Sequence, residues 1–384
     1  MKTKKRYINE PAGSFFLFGP RGTGKSTWLM QKFRNAVTVN LLEPDLCRIY
    51  MAYPERISEM INGNPKTETF IIDEIQRVPE LLSLVHKHIE EDGKRFILTG
   101  SSARKLKRSG VDLLGGRASL SFAHPFMASE LGNDFSLKNA IITGVVPIIS
   151  DAAEPEKTLS AYISLYLREE VASEGLVRNI GNFTRFLEAI SFSHGSLLSI
   201  SDVARECEVS RKTVEGYVSI LEDLLLGQRL PVFSKRAKRT LIKHSKFYYF
   251  DAGVFRSIRP CGPLDRSEEI AGAALEGLVF QHLRAWVDYS ERTHKLFFWR
   301  TRSGTEVDFV VYGDSQFCAL EVKNGKKVTR RDIASLKAFQ QDYPECCTAL
   351  LYRGKERIVV DGVLCIPCEQ FLAQLKPDNT IIPN

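Results

Sequence analysis

Gly19-Pro20-Arg21-Gly22-Thr23-Gly24-Lys25-Ser26 stands between the apolar run Phe15-Phe16-Leu17-Phe18 and a helical pattern that carries Trp28 and Leu29 to about Phe33. It fits G-x-x-x-x-G-K-[ST] in the strand-then-helix setting that this pattern requires. Glycines let backbone N–H groups curl around phosphate oxygens, and the start of the helix adds its positive dipole end. Lys25 is placed to reach β and γ phosphates, and the Ser26 hydroxyl to ligate magnesium. The expected ligands are ATP and Mg2+, with Thr27 joining residues 19–26 as contacts.

Further short runs follow: Ala36-Val37-Thr38-Val39-Asn40-Leu41, Phe70-Ile71-Ile72, Phe96-Ile97-Leu98 and Ala118-Ser119-Leu120-Ser121-Phe122. Near-continuous apolar strands separated by helical patterns imply a parallel sheet covered on both faces, an α/β fold. Asp73-Glu74 ends one of these strands at the C-terminal edge, where open sheets bind ligands. Asp73 is expected to hold Mg2+ through its water shell, and Glu74 to polarise an attacking water. Thr99-Gly100-Ser101-Ser102 ends the next run, and its hydroxyls, Ser101 among them, serve either the γ phosphate and its water or a helix cap. Gly115-Gly116-Arg117 sets an arginine after a flexible turn, suited to a finger on a neighbouring subunit's nucleotide or to an ordinary surface position. The finger reading implies a homo-oligomer.

The chain has 384 residues, enough for two or three domains, each with its own core. Its 43% hydrophobic and 26% charged residues are those of a globular protein, which excludes disordered and fibrous classes. No run approaches the length of a membrane span, and Met1-Lys2-Thr3-Lys4-Lys5-Arg6 is followed by Tyr7-Ile8-Asn9-Glu10-Pro11 rather than an apolar segment. Neither export nor a membrane is expected, and the expected location is cytoplasmic. Eight cysteines in such a chain read as reduced, mostly structural thiols, including Cys346-Cys347 and Cys365-Ile366-Pro367-Cys368.

The phosphate loop, the strand from Phe70 to Gln76, Leu98-Thr99-Gly100-Ser101-Ser102, Leu114-Gly115-Gly116-Arg117 and Gly144-Val145-Val146-Pro147 together resemble the bacterial and archaeal AAA-type ATPases that carry a C-terminal domain of unknown function, DUF4143. Lys246-Phe247-Tyr248-Tyr249-Phe250-Asp251-Ala252-Gly253-Val254 is similar to the same family, so the likeness covers nearly the whole chain. It implies an ATP-binding P-loop NTPase core of the additional-strand, catalytic-glutamate kind. Pattern changes near 153 and after Arg259-Pro260-Cys261-Gly262-Pro263 suggest three domains: residues 1–152 as the ATPase, 153–260 as a helical and winged helix-turn-helix domain, and 261–384 as an α/β nuclease-like domain.

Residues 199–214 have helix-turn-helix spacing, with Val203 and Ala204 inward, Ser210 as a cap, and Val214, Tyr217, Val218 and Leu221 as the inner stripe of the second helix. Arg211, Lys212 and Thr213 are left at the turn where recognition helices touch DNA. Downstream, Arg229, Lys235, Arg236, Lys238, Arg239, Lys243 and Lys246 fall in a stretch without an acidic residue, and their seven charges equal the net charge of +7. Such a cluster suits a wing lying on DNA phosphates.

Strand periodicity sets Glu306 with Asp308, and Glu321 with Lys323, on common faces, and Tyr312-Gly313-Asp314-Ser315 can fold the two strands together. The arrangement resembles the PD-(D/E)xK nuclease fold, with Glu276 in the place of its helical acid. In that chemistry Asp308, Glu321 and Glu276 bind Mg2+ or Mn2+, and Lys323 orients the metal-bound water. The other reading makes these charges the solvated face of a hairpin. Two functions follow: an ATP-hydrolysing, DNA-associated protein with a metal-dependent nuclease module, or an ATP-dependent switch on a DNA- or protein-binding scaffold whose nuclease-like domain is inactive.

Overall fold

The apolar runs become five strands: β1 (Ser14–Phe18), β2 (Val37–Asn40), β3 (Thr69–Asp73), β4 (Arg95–Gly100) and β5 (Ala118–Phe122). They form one sheet in the order β2-β3-β4-β1-β5, and every pairing is parallel. The computed structural model describes residues 4–101, 114–167, 179–235, 239–242, 244–290, 292–377 and 379–382. Within β1, all five residues are buried, as a strand covered on both faces requires. Phe16 and Phe18 join Phe70, Ile72, Phe96 and Leu98 in one core cluster, with Leu81, Leu82 and Val85 of the helix Leu81–Asp92 packed in. β4 lies between β1 and β3, so the phosphate-loop strand and the acidic strand are both its neighbours, and their C-terminal ends open at the same edge.

These residues belong to a compact unit of 8–124 with 223–225, and the remaining described residues form a second. By contacts the chain divides at 124–125, and the residues on either side of 260 share one unit. The second unit's elements explain why. Helices Ile200–Glu206 and Arg211–Asp223 lie in the chain between the first and second strands of a three-stranded antiparallel sheet of β6 (Ser196–Leu197), β7 (Gly227–Leu230) and β8 (Lys246–Tyr249), ordered β6-β8-β7. Next come a 23-residue helix, Ser267–Tyr289, and a six-stranded mixed sheet. Its strands are β9 (His294–Arg300), β10 (Glu306–Gly313), β11 (Phe317–Lys323), β12 (Cys347–Tyr352), β13 (Ile358–Val360) and β14 (Val363–Pro367), ordered β13-β14-β12-β11-β10-β9.

The link between β7 and β8 is stitched to β9: Phe233 N donates to Phe298 O at 2.6 Å, Phe298 N to Pro231 O at 3.1 Å, and Arg302 N to Thr240 O at 3.1 Å. Phe233 is buried among Trp299, Phe339 and Tyr343. Residues 231–233 and 240–242 of the stretch expected as a wing therefore cover an edge of the sheet and pair with its backbone groups. The two strands expected to fold together at Tyr312-Gly313-Asp314-Ser315 are β10 and β11, part of a three-stranded antiparallel meander, β9-β10-β11. After the pattern change near 153 come the helix Pro155–Ala161 and a π-helical turn, Tyr162–Leu167. No helix among the described residues is long and apolar enough to cross a membrane.

Candidate functional site

Gly22 and Gly24 of the loop take φ of 79° and 84°, a left-handed conformation that side chains resist, and Gly24 is the N-cap of the helix Lys25–Lys32. A Cβ on Gly19 would strike the Ala123 carbonyl oxygen. The sequence thus closes a tight loop at the positive end of a helix, with Thr23 N turned back onto Pro20 O at 3.4 Å. Lys25 folds over it, its ammonium donating to Gly19 O at 2.7 Å and Pro20 O at 3.3 Å. Thr23, fully buried, fixes the bend by donating to Pro20 O at 2.7 Å.

Three elements converge on Asp73 at the end of β3. Ser26 Oγ donates to Asp73 Oδ2 at 2.9 Å, and the Thr99 hydroxyl, from the end of β4, donates to Asp73 Oδ1. Glu74 N donates to Thr99 Oγ1 at 3.2 Å. Glu74 itself stands at φ 62°, ψ 47°, a left-handed position that a non-glycine residue seldom takes and that functional sites tend to hold. Its carboxylate accepts from the Gln76 amide, which also donates to Ser101 Oγ at 3.2 Å. Ser26, Asp73, Glu74 and Ser101 are thus brought together, and Thr99 and Gln76 join them. The sequence pointed to Thr99 only as one of several hydroxyls. A hydroxyl and a carboxylate in contact form a hard-oxygen donor pair, which fits Mg2+. Arg117 lies apart from these groups, its guanidinium on the Glu90 carboxylate and its Nη1 3.3 Å from Gly115 O. Ser102 lies outside the described residues.

In the second unit, the meander register that pairs Phe309 with Leu320 sets Asp308 beside Glu321. Asp308 Oδ2 accepts from Val322 N at 2.9 Å, and Lys323 Nζ meets Glu321 Oε1 at 2.6 Å. The centre of the carboxylates is a side chain assigned above to the basic wing. Lys246, only 1% exposed, places its ammonium 2.9 Å from Glu276, 2.6 Å from Glu306 and 3.2 Å from Asp308. Tyr248 donates its hydroxyl to Glu276 Oε1 at 2.6 Å. Glu276 and Asp308, expected as metal ligands, are thereby engaged by a lysine, and no group of three His, Cys, Asp or Glu suited to a metal ion occurs among the described residues.

Comparison with known proteins bears on both units. An AAA domain model matches residues 12–132, and models of two domains of unknown function, DUF8612 and DUF4143, match 134–265 and 271–371. The chain joins an AAA domain to a DUF4143 domain. An uncharacterized protein of Mycobacterium tuberculosis is 25% identical over 377 residues, covering 95% of this chain and 82% of its own. One from Haemophilus influenzae is 22% identical, covering 93% of each. Among solved structures, AMPPCP-bound DnaA from Aquifex aeolicus aligns at 15% identity over 55% of this chain and 81% of its own, with a TM-score of 0.26. Protein VC1899 from Vibrio cholerae aligns over 96% and 97% at 10% identity, with a TM-score of 0.22. Scores this low carry nothing about ligands.

Burial dominates the electrostatics of the DUF4143 cluster. It pushes the Glu276 and Glu321 carboxyls up to about 7 and about 8, reinforced by Asp308 and opposed by Lys246 and Lys323 respectively. Burial also works against the charge on Lys246, but Glu276, Tyr248, Asp308 and Glu306 outweigh it and hold this ammonium well above its ordinary range. Removing one partner from such a buried set costs about 3–5 kcal/mol, because the others are left uncompensated.

The other cations of the expected wing are also occupied. Arg229 pairs with Glu222 at 2.5 Å, Arg239 with Asp342 at 2.9 Å, and Lys235 sits over the Tyr312 ring at 4.1 Å. Arg236, Lys238 and Lys243 lie outside the described residues. In the DUF8612 region, Ser210 Oγ caps Thr213 N at 3.1 Å, Val214, Tyr217, Val218 and Leu221 are buried, and Arg211 and Lys212 are exposed. All eight cysteines are free thiols.

Proposed function

We propose that the chain binds and hydrolyses ATP at its AAA domain and uses the nucleotide cycle to control DNA association through the helix Arg211–Asp223. The observation that supports this most is the convergence of Ser26 and Thr99 on Asp73, with Glu74 N bonded to Thr99, beside a glycine loop folded at a helix start. On binding, the Lys25 ammonium exchanges the Gly19 and Pro20 carbonyls for phosphate oxygens, a charge-assisted contact. Ser26 and Asp73 are the residues that would hold Mg2+, which neutralises charge on the β and γ phosphates. Glu74, oriented by Gln76 and by its own strained backbone, takes the proton of the attacking water. Arg117 is the group proposed to complete the site of a second copy of the chain.

A second reading, the switch on a scaffold that cuts nothing, is favoured over a nuclease by the engagement of Glu276 and Asp308 with Lys246. Steady-state turnover of the full chain with ATP and Mg2+, with and without duplex DNA, tests the proposal. Turnover that DNA alters is expected, with the DNA intact. Absence of both binding and turnover would remove it.

A further inference from the structure

We infer that Lys246, from the region matched by the DUF8612 model, takes the place of a divalent cation in the DUF4143 carboxylate cluster, so that this cluster is locked by an ammonium and binds no metal. The Lys246 ammonium meets three carboxylates from two elements: it donates to Glu276 on the long helix and to Asp308 on β10, and forms an ion pair with Glu306 on β10. The nitrogen-to-oxygen distances of 2.6–3.2 Å are those of charge-assisted hydrogen bonds. Mg2+ would need its oxygens at about 2.0–2.1 Å. A metal could enter only if the lysine left, and nothing lets it leave. It begins β8, where Phe247, Tyr248 and Tyr249 are fully buried, it lies under the Phe298 ring at 5.7 Å, and Tyr248 donates to Oε1 of Glu276, the oxygen that the ammonium also meets.

The remaining groups are also paired within the protein, which leaves no carboxylate set of this cluster open to a metal. Arg300 takes the outer oxygen of Glu306 at 2.7 Å, and Asp308 spends its second oxygen on Val322 N. Lys323, whose role in the nuclease resemblance is to orient a metal-bound water, is bonded to Glu321 instead. The inference stands apart from the ATP site and survives or fails without it.

The experiment is a thermal melt of the full chain without nucleotide, titrated with MnCl2, in four forms: wild type, Asp308→Asn, Lys246→Ala, and Lys246→Ala with Asp308→Asn. Wild type and Asp308→Asn are expected to respond identically to Mn2+. Lys246→Ala, with its carboxylates uncovered, should gain a saturable rise in Tm that EDTA reverses and that the double variant loses. An Asp308-dependent Mn2+ shift in wild type overturns the inference, as does a folded Lys246→Ala protein that gains none. Should Lys246→Ala not fold, Lys246→Met combined with Glu276→Gln and Asp308→Asn should recover the wild-type melt, because the carboxylates that the ammonium balanced are then neutral and Glu306 keeps Arg300. Failure of that variant to recover also overturns it.

Discussion

Ser26 Oγ and Asp73 Oδ2 lie 2.9 Å apart, joining the first turn after the phosphate loop to the end of the acidic strand. The contact places a hydroxyl and a carboxylate where a metal-bound nucleotide needs both. Asp73→Asn is therefore expected to leave ATP affinity in EDTA unchanged while lowering the Mg2+-dependent gain about 10- to 100-fold. Equilibrium titration with a fluorescent ATP analogue, with and without Mg2+, measures it. An equal loss in both conditions would show that Asp73 supports the loop rather than the metal.

Arg117 and Glu90 form an exposed pair, and such a pair is worth about 0–1 kcal/mol. Exchanging Glu90 for a neighbour's phosphate is thus cheap. For a finger in trans, turnover per subunit rises with protein concentration, and a mixture of Arg117→Ala with Lys25→Ala protein regains part of the activity that each lacks alone. No recovery at any ratio would leave Arg117 as a bridge to Glu90.

Arg211 and Lys212 are exposed at the start of their helix, whereas Arg239 is bonded to Asp342. If the former reach DNA phosphates, replacing both with alanine should reduce the slope of log affinity against log salt by about 2, and Arg239→Ala should not change it. Binding measured over a salt series decides this. An unchanged slope in the double variant would exclude the helix as the contact.

His282 is buried, accepts from Ala128 N at 2.9 Å and meets Leu278 O at 2.7 Å, so it must stay neutral. Burial holds its pKa down at about 4, against the pull of the Leu278 carbonyl. A depressed pKa gives stability that is present above the unfolded value near 6.5 and is lost as pH falls through about 4, here about 3 kcal/mol in all. His194, lowered by burial to about 3, adds in the same direction. Urea unfolding at pH 7 and at pH 4.5 should show less acid destabilisation in His282→Gln than in wild type. Equal losses would show that this histidine is not what acid attacks.

The strands and the phosphate loop were legible because they are local: an apolar run, its flanking glycines and a terminal acid pair all sit within a few residues. That β4 separates β1 from β3 was not readable from the residues, because strand order is a property of pairing across long chain separations. Lys246 shows the limit most sharply. Counted by charge, it belonged to a basic run, and only its place at the head of the apolar stretch Phe247-Tyr248-Tyr249 hinted at a buried ammonium. The same charge count concealed Arg229 and Arg239, whose acidic partners Glu222 and Asp342 lie outside the run.

ATP hydrolysis by the Asp73–Glu74 arrangement is tested most directly by comparing nucleotide affinity with single-turnover rate in Glu74→Gln and Lys25→Ala. Glu74→Gln should bind ATP as wild type does and hydrolyse it about 100- to 10,000-fold more slowly, since it loses only the acceptor of the water's proton. Lys25→Ala should lose binding itself, because its ammonium meets phosphates already in the ground state. Wild-type hydrolysis in Glu74→Gln, or equal loss of binding in both variants, would contradict the assigned roles.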